Sequence, residues 1–425
     1  MSSGKDWISQ TNIYEVNLRQ YTPEGSFKAF SSHLPRLRDM GVQTLWFMPI
    51  TPISLQERKG SLGSYYACSD YTSVNPEFGS LEDFRSLVAE AHGMGFQVIL
   101  DWVANHTGWD HRWTREHPEW YEKDPATGDF KRASGMDDII ELDFSQPAMR
   151  AAMTDAMKFW VRECHIDGFR CDLAFWVELD YWLEAIPQVN ALKPLFWLAE
   201  ADPSDHPAYM QIFDAAYTWT WMHRTQDFYD QRFPLDGLVK ILYQYQSMPG
   251  IKAWFTSNHD ENTWNGSEYE KYGAAAKALA VHSCTWPGLP LVYSGQELPN
   301  RKRLQFFDKD PIEWSGTYEL HDFYKALLTL QHRHPALDAR GPVFQLNTSA
   351  GGCVLAYLRK SGEAEVIVFL NLCAQAVQFQ LLDTWVKGHF EELFSLQPHD
   401  FSIRDFEMQP WGYLVYVKHA GNGSL

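Results

Sequence analysis

The feature that most constrains this chain is a recurrence. Eight short apolar runs follow one another along the first three quarters of the sequence, separated by stretches of helical periodicity. The runs are IYEVNLRQY (13–21), TLWFMPI (44–50), QVILDWVAN (97–105), GFRCDLA (168–174), LFWLAEA (195–201), AAYTWT (215–220), KAWFTSNHD (252–260) and LPLVYSG (289–295). Each is too short and too apolar for a half-exposed strand and reads as a buried parallel one. The helical stretches carry their own punctuation. SLEDFRSLVAEAHGMG opens on Ser80, has Glu82 and Asp83 in its first turn, and ends on Gly, as does SFKAFSSHLPRLRDMG before it. Eight strands alternating with helices predict an α/β fold, a closed (β/α)₈ barrel.

Two stretches break the alternation. Residues 107–145 are too long for an ordinary connection after the third strand, and are rich in Trp, His and charge. They read as a short inserted domain over the barrel mouth, with Trp109, Trp113 and Trp120 placed along its cleft. From Gly341 the pattern turns to short alternating runs, CVLAYLRK, AEVIVFLNL, AVQFQLL and GYLVYVK, which predict an antiparallel all-β domain. The expected domains are therefore 1–106 with 146–340 for the barrel, 107–145 for the insertion, and 341–425 for the β-domain.

Charge and composition exclude several functions. A formal net charge of −18 argues against nucleic acid, which needs clustered Lys and Arg. No stretch is long and apolar enough for a membrane span, and the N-terminus MSSGKDWISQTN has no apolar signal segment, so a cytoplasmic location is expected. The six cysteines form no CxxC or zinc spacing and are expected to be buried free thiols. The one HxH, His332 and His334, reads as surface rather than as a metal site. Aromatics are 15% of the chain, with 18 Trp. Most fill the core, but flat apolar rings in loops also suit the faces of sugars.

In a (β/α)₈ barrel the chemistry lies at the C-terminal ends of the strands. There the third run carries Asp101, Asn105 and His106, the fourth Arg170 and Asp172, the fifth Glu200, and the seventh Asn258, His259 and Asp260. Arg170 and Asp172 stand two apart, on one face of a core strand. Their bland reading is a buried ion pair, a doubtful source of stability. Gathered on one rim, carboxylates with no nucleophilic Ser or Cys and no HExxH suit glycoside hydrolysis, in which one acts as nucleophile and another as proton donor.

DWVANH (101–106), GFRCDLA (168–174), LAEA (198–201) and FTSNHDE (255–261) together resemble, in order, four motifs of the α-amylase family, glycoside hydrolase family 13. GSYYACSDYTSVNPEFG (63–79) resembles the loop that follows that family's second strand. The resemblance implies a retaining hydrolase of α-1,4-glucosidic bonds in starch-derived glucans or maltooligosaccharides. Asp172 would be the nucleophile, Glu200 the general acid and base, and Asp260 a ligand of the reacting glucose. Tyr66, Asp101, His106, Arg170 and His259 match residues that hold or support that ring, Arg170 by steadying the nucleophile and lowering its pKa. A 4-α-glucanotransferase and a cyclomaltodextrinase-type enzyme are the alternatives, and a non-catalytic carbohydrate-binding scaffold is a remote one. The chemistry needs no cofactor. Asn105 matches the family's calcium asparagine, so the resemblance leaves a structural calcium with Asn105 as a ligand open, while Phe175 and Trp176 replace the Lys-His pair found three and four residues after the nucleophile, whose His carbonyl would help to hold it. Phe175 and Trp176 are expected to offer a stacking surface to leaving-group or acceptor glucose.

Overall fold

The structure, a computed structural model, describes residues 4–419. Eight parallel strands close into a barrel in chain order: β1 (Ile13–Val16), β2 (Thr44–Phe47), β3 (Gln97–Trp102), β4 (Gly168–Cys171), β5 (Phe196–Ala199), β6 (Ala215–Tyr217), β7 (Ile251–Trp254) and β8 (Leu289–Tyr293). Closure is made by β1 against β8, with Ile13 opposite Leu291. All eight arise from the apolar runs, but each is shorter than its run. The first turns at Asn17 into a helical turn, Leu18–Tyr21, and the sixth gives way at Trp219 to a helix. The expected helix over 26–41 is two, Phe27–Ser31 and Leu34–Asp39, the second with a proline in its first turn. Ser80 and Asp83 form a reciprocal capping box at the start of Leu81–Gly93.

Strand alternation divides the core into two layers. Ile13, Trp46, Ile99, Phe196, Leu198 and Leu291 fill the barrel interior. Their neighbours Tyr14, Leu45, Val98, Trp197 and Val292 face outward into the helices. Gly168 is required where β4 passes β5, since a Cβ there would stand 2.1 Å from the Phe196 carbonyl oxygen.

The segment between β3 and the helix Pro147–Cys164 folds on a two-residue ladder, His106–Thr107 against Ile140–Glu141. Beyond the barrel, a six-stranded antiparallel sheet and a two-stranded one enclose a separate apolar core that includes Leu358, Ile367, Phe369 and Phe406. Two expectations fail there. Cys353 and Cys373 are joined in a disulfide, flanking the long hairpin with their Cα atoms 5.3 Å apart, whereas Cys68, Cys164, Cys171 and Cys284 are buried and free. His334 is buried, its Nε2 lying 3.2 Å from the Lys418 carbonyl oxygen, because the last barrel helix packs against the final strand. Among the described residues no helix is long and apolar enough to cross a membrane.

Candidate active site

The site is assembled around one guanidinium. Asp101 on β3 and Arg170 on β4 are register partners, and both point into the barrel. Arg170 Nη1 donates to Asp101 Oδ1 at 2.8 Å and to Asp172 Oδ1 at 2.9 Å. Its Nη2 is 2.7 Å from Glu200 Oε2, close but out of line for a hydrogen bond. Its Nε donates to the Tyr217 hydroxyl at 3.3 Å, and the guanidinium lies over the Trp46 ring. The side chain of Arg170 is fully buried, so every polar contact it makes is with protein.

β4 ends at Cys171, which places Asp172 on the first residue beyond the strand. The next residue, Leu173, has a left-handed backbone, φ 37° and ψ 51°, unusual for a side chain of that size. That turn aims the Leu173 N–H at Glu200 Oε2, 2.9 Å away. Glu200 itself follows the end of β5. Strain at one residue thus ties the ends of two strands, and with them the two carboxylates, together.

Above these residues is a cavity of about 510 Å³. Asp172, Glu200, Asp260, Tyr66 and His106 line it, together with Trp264, Phe306 and Phe307 from the loops after β7 and β8 and with Met136 and Ile139 from the insertion. Lys59, from the loop after β2, meets Asp138 of the insertion at 2.7 Å across the rim. The same loop is stitched to the β8 loop. Ser61 donates through N and Oγ to Asp308 Oδ1, and Leu62 N donates to the Phe307 carbonyl. Apolar rings with a few convergent polar groups are what a sugar site requires.

Burial sets the electrostatics. Desolvation lifts Glu200 to about 7; Arg170 opposes the rise while Asp172 and Asp260 add to it. Asp172 also rises, to about 6, so the expected lowering by Arg170 is present but does not set the net direction. The guanidinium does pull it down, but desolvation is larger, and Asp101 shares the same cation. Asp101 is likewise raised to about 6, again mainly by burial. One cation serving three buried carboxylates cannot hold all of them at ordinary values.

The expected site residues separate into two groups. Asp172, Glu200, Asp260, Tyr66 and His106 face the cavity, and His106 Nε2 is buried without a hydrogen-bond partner. Asp101, Arg170 and His259 lie behind them, holding groups that face the cavity rather than lining it. Phe175 and Trp176 form a half-buried turn outside the cavity lining, with Phe175 stacked on His206 at 4.1 Å. Trp113 and Trp120 are buried in the main apolar core, packed on each other at 5.1 Å and, through Trp113, on Tyr71, and Trp109 donates to the Asp137 carbonyl. They do not line the cavity, because two of the rings pack inward on the outer core and the third is turned to the insertion's backbone.

The side-chain amide nitrogen of Asn105 lies 3.3 Å from His106 Nδ1, its backbone carbonyl accepts from Leu142 N, and among the described residues no three His, Cys, Asp or Glu side chains gather that could hold a metal. Lys59, Asp138, Trp264, Phe306 and Phe307 were not apparent from sequence, since their loops carry no strand pattern. Glu15 was legible: an acid inside the apolar run IYEV is as anomalous as Arg170 inside GFRC.

The profile for the α-amylase catalytic domain matches residues 2–137. A maltogenic α-amylase structure from Thermotoga neapolitana superimposes with a TM-score of 0.88 at 26% identity, covering 97% of this chain and 99% of that one. The chain belongs to the α-amylase family of glycoside hydrolases. Among curated relatives, α-amylase 2 of Dictyoglomus thermophilum is 24% identical over 90% of this chain, which spans 69% of that protein. The α-1,4-glucan:maltose-1-phosphate maltosyltransferase of Rhodospirillum rubrum is 35% identical over 87% of this chain, which spans 58% of it. The α-amylase family member described here thus spans about two thirds or less of the length of these two relatives.

Proposed function

We propose that this glycosidase cuts α-1,4-glucosidic bonds in starch-derived glucans and maltooligosaccharides by double displacement. Asp172 attacks the anomeric carbon as the bond to the leaving oxygen breaks, and Glu200 gives that oxygen its proton. Glu200 then takes a proton from water, which attacks the same carbon and frees Asp172. Two inversions retain the α configuration. Asp260, 38% exposed at the cavity, binds hydroxyls of the reacting ring, and Tyr66 and His106 pack and hold it.

One observation carries this reading. Asp172 and Glu200 face one cavity and share the two terminal nitrogens of one guanidinium. That supports reading Asp172 as nucleophile and Glu200 as acid at one linkage, with Glu200 desolvated enough to keep a proton near neutrality.

Transfer to a second sugar is the competing outcome. Phe175 and Trp176, half-buried on the turn just past the nucleophile, could receive an acceptor, and the Rhodospirillum relative bears a transferase name. Incubation with maltoheptaose decides between the two. Hydrolysis gives only shorter α-products; chains longer than the substrate establish transfer; release of no sugar from any α-glucan overturns both.

A further inference from the structure

Glu15, at the third residue of β1, is fully buried and points into the barrel beneath the site. Its Oε1 accepts from His259 Nδ1 at 2.5 Å, and its other oxygen has no partner. On the far side of the ring, His259 Nε2 lies 2.7 Å from the Tyr66 hydroxyl. That hydroxyl has one proton and donates it to Asp101 Oδ2 at 3.1 Å. With that proton on the Asp101 carboxylate, the hydroxyl accepts from His259. The imidazole therefore donates from both nitrogens, and an imidazole that does so is a cation.

Resting on the glycosidase reading, we propose that Glu15 is a positioning residue for the reaction. It holds His259 as a doubly protonated imidazolium that fixes Tyr66 and Asp260 beneath the reacting sugar. Asp260 Oδ2 is 3.3 Å from Nε2, and the Tyr66 ring is nearly parallel to the imidazole at 5.5 Å. A neutral His259 with its one N–H on Glu15 would turn a bare Nε2 to Asp260 and compete with Asp101 for the Tyr66 proton.

The charges around the ring agree. Burial pulls His259 toward the neutral form, but Asp260 and Glu15 outweigh it and lift it to about 9, against Arg170. Burial raises the Glu15 carboxyl, and His259 and Arg170 draw it back. The other polar neighbours, Tyr217 and Tyr293, are phenols kept neutral by burial, while Trp46 and Phe306 meet the ring with apolar surface. His259 is thus the second cation of a site with five carboxyl groups, and Glu15 is its dedicated counter-ion.

The test is titration of His259 in the full chain carrying ¹⁵N-histidine, its signal assigned by loss in His259→Gln, together with kinetics on maltoheptaose. In the wild type both ring nitrogens are expected to stay protonated at pH 7 and to lose a proton near pH 9. In Glu15→Gln, which keeps shape but not charge, His259 titrates at least about one pH unit lower. The same variant loses about tenfold in kcat, with KM changed by less than about threefold. A merely structural Glu15 would lower Tm without moving that titration. A wild-type His259 that is neutral at pH 7 overturns the proposal, as does a Glu15→Gln enzyme with the titration in place or kcat within twofold. The wild-type titration decides even if the variant does not fold. An inactive wild type with a cationic His259 would instead overturn the glycosidase reading alone.

Discussion

Successive residues of β1 feed two buried ionic clusters of opposite character. Tyr14 points outward and donates to Glu297 Oε1 at 2.7 Å; Arg36 meets the same oxygen at 2.8 Å and the Tyr21 hydroxyl at 2.6 Å. That cluster has one acid and one base. Glu15 points inward to five carboxyl groups, its own and those of Asp101, Asp172, Glu200 and Asp260, against Arg170 and His259. The outer cluster is balanced and ties the helical layer to the barrel. The inner one has a surplus of acid, and that surplus adds to the desolvation that keeps a proton on Glu200 near pH 7. The same strand thus serves packing on one face and chemistry on the other, and the difference lies in charge balance rather than in burial.

The two clusters should respond in opposite ways to substitution. In the inner one, Asp172→Asn or Glu200→Gln is expected to cut kcat on maltoheptaose at least about a thousandfold, with circular dichroism unchanged. A variant keeping more than a few per cent of turnover would break the role assignment. In the outer one, Glu297→Gln strands Arg36 and should cost about 3 kcal/mol in urea unfolding, with kcat within twofold. If activity fell more than stability, the comparison would fail.

A smaller effect has the opposite sign. Glu200 has a folded pKa raised to about 7, above its unfolded value, so its ionisation costs stability as the pH rises through 7. Glu200→Gln removes that cost and should stabilise the fold at pH 8 by about 1–3 kcal/mol, an effect that vanishes at pH 4. The same shifts predict a narrow bell in kcat/KM. The acid limb lies near pH 6, where Asp172 gains a proton, and the alkaline limb near pH 7, where Glu200 loses one. A plateau reaching to pH 9 would contradict it. The mildest change is Lys59→Ala, which opens the bridge to Asp138 at the rim. It should shift the product lengths from maltoheptaose with little change in kcat, and an identical product profile would remove Lys59 from the substrate path.

The barrel was legible because eight buried strands leave eight apolar runs, and because Ser80 and the terminal glycines mark helix ends. The candidate acids were legible because Asp172 and Glu200 close the apolar runs GFRCDLA and LFWLAEA, at the strand ends where a barrel of this kind carries its chemistry. The cleft wall was not. Trp264 stands in a π-helical turn and Phe306 and Phe307 in an irregular loop, where no periodicity says which way a ring points. Nor did sequence show that desolvation at Asp172 exceeds the pull of Arg170, because that balance depends on how many carboxylates share the cation. The Cys353–Cys373 bridge was hidden for a similar reason. Pairing depends on the hairpin that brings the two together, and a separation of 20 residues carries no motif.

The central claim is that Asp172 becomes covalently bonded to sugar while Glu200 manages the proton. It is tested most directly by trapping. Glu200→Gln, incubated with an activated α-glucosyl fluoride that needs no acid to leave, should accumulate a glycosyl-enzyme. Peptide mass mapping is expected to find one hexose on the peptide carrying Asp172 and none on that protein once Asp172 is also changed to Asn. A sugar on any other residue, or turnover without an adduct to a product of β configuration, would contradict the account.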